Sequence, residues 1–390
     1  MRSAVLFILV LSCARAADFP MTIVSADEAE TIHSAIVRKE AWTLDTVRRL
    51  RAEAEKKMKE GPWSITFDRP RGVDIDPHDY YSEAPYWWPN PENPDGEYVR
   101  RDGQVNPSRF LANTASLNSM CDAVLTLGTA AFLLDDPRYA QKASRVIQTW
   151  FIAPKTRMNP NLNYAQSVPG INDGHGGGAF DGRCLLRGVQ GMEFLAQTGG
   201  WDPREQAAAR RWFEDYLRWI TDSKNAGEER TSSNNHASWW TAQVAGIATF
   251  VDNKPATEMA FSYYRDSIFP RQIRDGSAPR DLDAFSIICR IAQVHGTDLW
   301  SAHTRSGATL GSVIDKLHPA VSLDPKKPAK DPIADYPNDS LYFLAFAGMG
   351  LKKPEYVAQF RKLEHPDSSW LYLVDLMVGR WESAAHQTRH

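Results

Sequence analysis

Apolar residues recur with helical spacing from one end of the chain to the other, and this excludes most fold classes at once. Leu117, Met120, Cys121, Val124, Leu125, Gly128 and Phe132 follow i, i+3, i+4 steps over about four turns. Asp136-Pro137 restarts a helix with proline at its first position, where the missing N–H needs no partner. Tyr139, Ala143, Val146, Ile147 and Trp150 form its apolar stripe. Asp202-Pro203 repeats the device before Trp212, Phe213, Tyr216, Leu217 and Ile220, and Lys353-Pro354 and His365-Pro366 are two further starts. Between them the pattern predicts helices over 26–38, 41–60, 183–197, 236–252, 255–268, 281–296 and 336–350. No run alternates with period two, and no strand–helix–strand rhythm shows. The expected class is all-α: helical hairpins stacked in a layer or closed into an incomplete (α/α) toroid or barrel. The lack of a fixed-period repeat favours the toroid over a regular solenoid.

Two segments interrupt the pattern. Residues 62–107 are rich in proline and aromatics, and residues 153–182 in Asn, Gly and Pro. Long ordered loops of this kind often carry function. Neither resembles a linker, so residues 17–390 are expected to form one domain. Residues 1–16 read as a signal peptide, with Arg2 ahead of the apolar run Ala4–Leu11 and Ala14-Arg15-Ala16 as the cleavage site. A lipid-modified Cys13 is the alternative. The expectation is a secreted protein, extracellular or periplasmic, with no stretch beyond the leader approaching membrane-spanning length. The remaining thiols, Cys121, Cys184 and Cys289, have no short mutual spacing, so buried free cysteines are expected rather than a disulfide scaffold or a zinc cluster.

A net charge of -3 offers no basic footprint for nucleic acid, although a local cleft can still receive an anion. Thirteen Trp, 13 Tyr and 16 Phe exceed what a core requires, and exposed aromatic faces suit sugar rings.

Three motifs stand out. In Ser232-Ser233-Asn234-Asn235-His236, one polar residue would suffice to cap the following helix. An Asn amide beside an imidazole at a helix N-terminus also converges donors on an anion. The stretch Tyr80-Tyr81 through Tyr86-Trp87-Trp88-Pro89 is either a rigid stacking surface for sugars, with Tyr81, Tyr86, Trp87 and Trp88 as contacts, or a packed plug. The glycine-rich run around His175 imitates an esterase oxyanion loop, but no nucleophile elbow exists to serve it. What survives is a loop that needs close backbone approach, with substrate as one partner. No metal motif occurs, and no cofactor is expected.

Taken together these motifs resemble the alginate lyase superfamily of polysaccharide lyases. The resemblance covers about residues 40–380 and is carried by the Tyr80–Pro89 segment, Arg100–Pro107, Asn234-Asn235-His236 with Trp240, and Gln272-Ile273-Arg274-Asp275-Gly276-Ser277 with Pro279. It implies an incomplete (α/α) toroid that cleaves 1,4-linked uronate polymers, alginate or glucuronan, by β-elimination. Donors neutralise the carboxylate so that the C5 proton becomes acidic, and a base removes that proton. By resemblance Asn235 and His236 are catalytic. Asn234, His175 and Arg280 join the aromatics as substrate-binding candidates, Arg280 without matching the Arg that relatives carry. The implied partner is an acidic polysaccharide, and a monomer is expected.

The chain departs from the pattern at one place. Relatives carry an Arg-Thr element and a catalytic Tyr after the Asp-Gly-Ser-x-Pro segment. Here Asp281-Leu282 runs straight into Asp283-Ala284-Phe285, which already reads as the next helix. Loss of one general acid or base costs about 10²–10⁴ in rate. Impaired activity is therefore expected, and a non-catalytic protein that binds acidic polysaccharide is the alternative.

Overall fold

The structure is a computed structural model and describes residues 21–93, 96–273, 282–317, 341–363, 365 and 368–387. The expected signal peptide, Arg280, Pro366 and residues 336–340 lie outside the described residues. In the first third of the chain run α1 (Ala26–Val37), α2 (Leu44–Lys57), α3 (Ala112–Leu133) and α4 (Pro137–Ile147). Then come α5 (Leu185–Gln197), α6 (Pro203–Asp222), α7 (Lys224–Thr231), α8 (Asn235–Phe250) and α9 (Lys254–Tyr263). The last are α10 (Phe269–Gln272), α11 (Leu282–Val294), α12 (Leu310–Leu317), α13 (Tyr342–Gly350), α14 (Pro354–Lys362) and α15 (Ser369–Gln387).

Helix starts are set by local chemistry. Ser25 and Glu28 form a reciprocal capping box on α1. Asp136 and Asp202 each accept the N–H two residues on, ahead of a helix whose first residue is proline. The helices form an (α/α) toroid. Helices α3, α5, α8, α11, α13 and α15 touch in sequence around a circuit, α15 returning to α3. Where their central turns are enclosed on all sides they are apolar all round: Phe285, Ile287, Ile288 and Ile291 on α11 are all buried. Helices α2 and α4 pack outside α3, and α6 and α9 outside α8. Outer helices keep one apolar face, and on α4 it is the foreseen stripe of Tyr139, Ala143, Val146 and Ile147. Among the described residues the return from α11 to α13 carries only the two-turn α12.

Helix α3, 22 residues long, does pass the length and composition test for a membrane span, contrary to the sequence expectation, yet most of it is buried inside the toroid. It can lie that deep because Gly128 meets Gly191 of α5, where an added Cβ would sit 2.1 Å from the Gly191 carbonyl oxygen. The three cysteines are free and buried. Three short helices, α7, α10 and α12, and four strands were not foreseen. Strand β1 (Tyr81–Glu83) pairs in parallel with β4 (Tyr164–Ser167), and β2 (Trp87–Trp88) pairs antiparallel with β3 (Val99–Arg100). At two to four residues each, they are too short to show alternation in sequence.

Candidate functional site

Helix α8 belongs to the inner circuit, and its N-terminus is where the polar groups gather. Asn234 caps it. The Asn234 Oδ1 accepts the His236 N–H at 3.0 Å and the Ser232 hydroxyl at 2.7 Å. The loop before it is clasped from α10: Gln272 donates to the Asn234 carbonyl at 2.6 Å, and Arg271 to the Ser232 carbonyl at 2.8 Å. Ser238 in turn donates to Gln272 Oε1 at 2.6 Å. Two motifs far apart in sequence thus hold one turn. The Asn234 oxygen is used by the cap, whereas the half-buried Asn235 amide makes no hydrogen bond among the described residues.

His236 is gripped from behind. Both carboxylate oxygens of Glu229 on α7 lie 2.8 and 2.9 Å from its Nδ1. Glu229 is only 2% exposed, and burial pushes its pKa up while the bond to His236 opposes the rise. The imidazole stacks on Phe180, ring centroids 4.8 Å apart and planes 29° from parallel. The Arg183 guanidinium lies 4.1 Å from the same Phe180 centroid. Nε2 of His236 has no protein partner among the described residues, and the side chain remains 27% exposed. The two groups nominated as catalytic are therefore adjacent, unspent and open.

His175 joins them. Its Nδ1 accepts the Gly177 N–H at 3.0 Å, so a neutral ring carries its proton on Nε2. Burial holds its pKa below the usual imidazole value, and the nearness of the His236 imidazole works in the same direction. The glycine-rich run does require close approach, but to protein. A Cβ on Gly176 would meet Glu228 of α7 at 2.5 Å, and one on Gly178 the Ala165 carbonyl oxygen of β4 at 2.4 Å. Behind Phe180, Asp181 accepts from Tyr80 at 3.0 Å, Ser82 at 2.6 Å and Gln166 at 3.2 Å, tying β1 and β4 to the turn.

The aromatic motif is divided. Ser82 faces Asp181, so Tyr81 falls on the opposite face of β1. There it is 2% exposed, with its hydroxyl 3.3 Å from Glu83, at the edge of a cleft of about 730 Å³. Asp74, Glu83 and Asp173 line that cleft with Arg71, an acidic excess that disfavours a uronate. Trp87 and Trp88 form β2. The Trp88 indole donates to the Gln104 carbonyl at 2.9 Å and carries Arg101 4.9 Å from its ring centroid. Tyr86 is 38% exposed. No hydrogen bond or ring contact joins this hairpin to Asn235 or His236 among the described residues. Glu229, Phe180 and Asp181 were not foreseen. Glu229 is one of 48 acidic residues, on a helix without an apolar stripe, so no sequence signal marked it.

The family model for alginate lyase matches residues 70–327. No curated protein matches the chain. Among solved structures, an alginate lyase from Bacteroides ovatus superposes with a TM-score of 0.79 at 26% identity, over 91% of this chain and 98% of that one. A histidine-to-alanine variant of alginate lyase A1-III complexed with tetrasaccharide matches with a TM-score of 0.56 at 13% identity, over 87% and 90% of the two chains, a likeness of fold alone.

Proposed function

Since the chain belongs to the alginate lyase family, we propose that it is a secreted polysaccharide lyase-like protein whose groove at Asn235 and His236 binds a 1,4-linked uronate polymer, alginate or glucuronan. The observation that carries this reading is the pair of unspent groups at the start of α8: the Asn235 amide and the His236 Nε2 have no protein partner among the described residues. In the proposed step the amide draws charge from the sugar carboxylate, and Nε2 takes the C5 proton. The C5–H electrons form the C4=C5 double bond, the C4–O4 bond breaks, and the imidazolium returns its proton to the leaving O4. No cofactor enters.

The reaction is proposed to be slow. In the sequence only Arg280 and Asp281 separate Pro279 of the motif from Leu282, where α11 starts, and this short spacing is what supports the absence of the Arg–Tyr stretch that the resemblance implies. The same observation favours a second reading, a binding protein without turnover. Incubation of purified protein with polymannuronate and with glucuronan, followed by ultraviolet absorbance of unsaturated ends, separates the two. Slow product formation is expected. Oligouronate binding with no product would support the second reading, and release of saturated reducing sugars would contradict both.

A further inference from the structure

We propose that Glu229 is a positioning residue that decides what His236 does: its buried carboxylate holds the proton on Nδ1 and leaves Nε2 as an open acceptor. The inference rests on the reading that Asn235 and His236 meet a uronate, and it adds a division of labour within that site.

The geometry leaves the imidazole little freedom. Both Glu229 oxygens converge on the one nitrogen, at 2.8 and 2.9 Å. Stacking on Phe180 fixes the ring plane. A flipped ring would lose a charge-assisted bond and strand a carboxylate that is 2% exposed. Helices α7 and α8 are held side by side by the Ser232–Asn234 turn, which Arg271 and Gln272 clasp. Among the described residues the ionisable groups that act on the pair include His175, Asp181 and Tyr216, and Glu228 acts on His175.

His175 supplies the contrast. Its Nδ1 accepts from the Gly177 backbone, so its Nε2 carries the proton. Two neighbouring imidazoles therefore have opposite tautomers, one a donor and one an acceptor. A neutral His236 in this tautomer cannot donate through Nε2 to a substrate carboxylate. Neutralising that carboxylate falls to the Asn235 amide and His175, and His236 is left to accept a proton. If Glu229 were only a buried link between α7 and α8, its replacement by Gln would change stability and leave the tautomer as it was.

The test reads the tautomer directly, by nitrogen-15 NMR of the histidine side chains in the full chain, with H236Q to assign the signals. For the unaltered protein the expected result is a neutral His236 protonated at Nδ1. E229D, which keeps a carboxylate, should retain that tautomer. E229Q, with folding checked by thermal melting, should shift population to the Nε2-protonated form. On polymannuronate or glucuronan, E229Q should lower kcat by roughly tenfold or more, with KM unchanged within about twofold. A His236 protonated at Nε2 in the unaltered protein would overturn the proposal, as would a tautomer that E229Q leaves unmoved. If the tautomers respond as stated while neither polymer is cleaved or bound, Glu229 keeps its role and the uronate assignment is what fails.

Discussion

At the scale of single residues, the site divides into what neighbours in sequence could announce and what only the fold brings near. Asn235 and His236 are consecutive, and their types already suggest anion recognition at a helix start. Glu229 and Phe180 reach His236 from other elements, and nothing in their local sequence points there. A second buried carboxyl shows how costly such placement can be. Glu193 on α5 accepts the Thr22 N–H and hydroxyl, both at 3.0 Å, and burial pushes its pKa from 4.5 to about 8. Its folded value lies above its unfolded one, so its contribution to stability is fully present below pH 4.5 and is lost as pH rises through about 8. The loss is on the order of a few kcal/mol. Melting temperature measured against pH should therefore fall across this window in the unaltered protein and flatten in E193Q. Parallel curves would show that Glu193 does not set the slope.

At the scale of elements, legibility follows how local the signal is. The starts of α4, α6 and α14 were readable because each has proline at its first position, and Asp136 and Asp202 also cap theirs. Helix α7 was not readable, since only Ala226 and Glu229 on it are buried and no stripe forms. The strands were not readable because pairs of residues across loops define them, and their register comes from the fold. Gly128 lies between the two cases. It kept its place in the helical stripe of α3, but the reason for glycine there is the crossing with α5 at Gly191. An alanine would drive its Cβ into the Gly191 carbonyl, so G128A is expected to destabilise the fold by about 1–3 kcal/mol, measured by urea unfolding. A change within about 0.5 kcal/mol would mean that the two helices can part without cost.

At the scale of the whole molecule, the all-α toroid was legible because end-to-end helical periodicity leaves few other ways to bury so much apolar surface. The arrangement of its ends was not. The segment 22–24 enters the toroid and is held by Gln190, Glu193 and Arg290, contacts separated by more than 160 residues. The family match accounts for the overall shape and supports a polysaccharide lyase, and the open pair at α8 is where the proposal seats a sugar acid. The proposal that combines them is that a uronate is bound at Asn235 and His236. Calorimetric titration of a tetramannuronate into the unaltered protein and into the N235A/H236A double variant tests this most directly. The account predicts affinity at least tenfold weaker in the double variant, in protein that still melts in one cooperative transition, at a lower temperature because the buried Glu229 carboxylate has lost its partner. Equal affinity in the two proteins would contradict it.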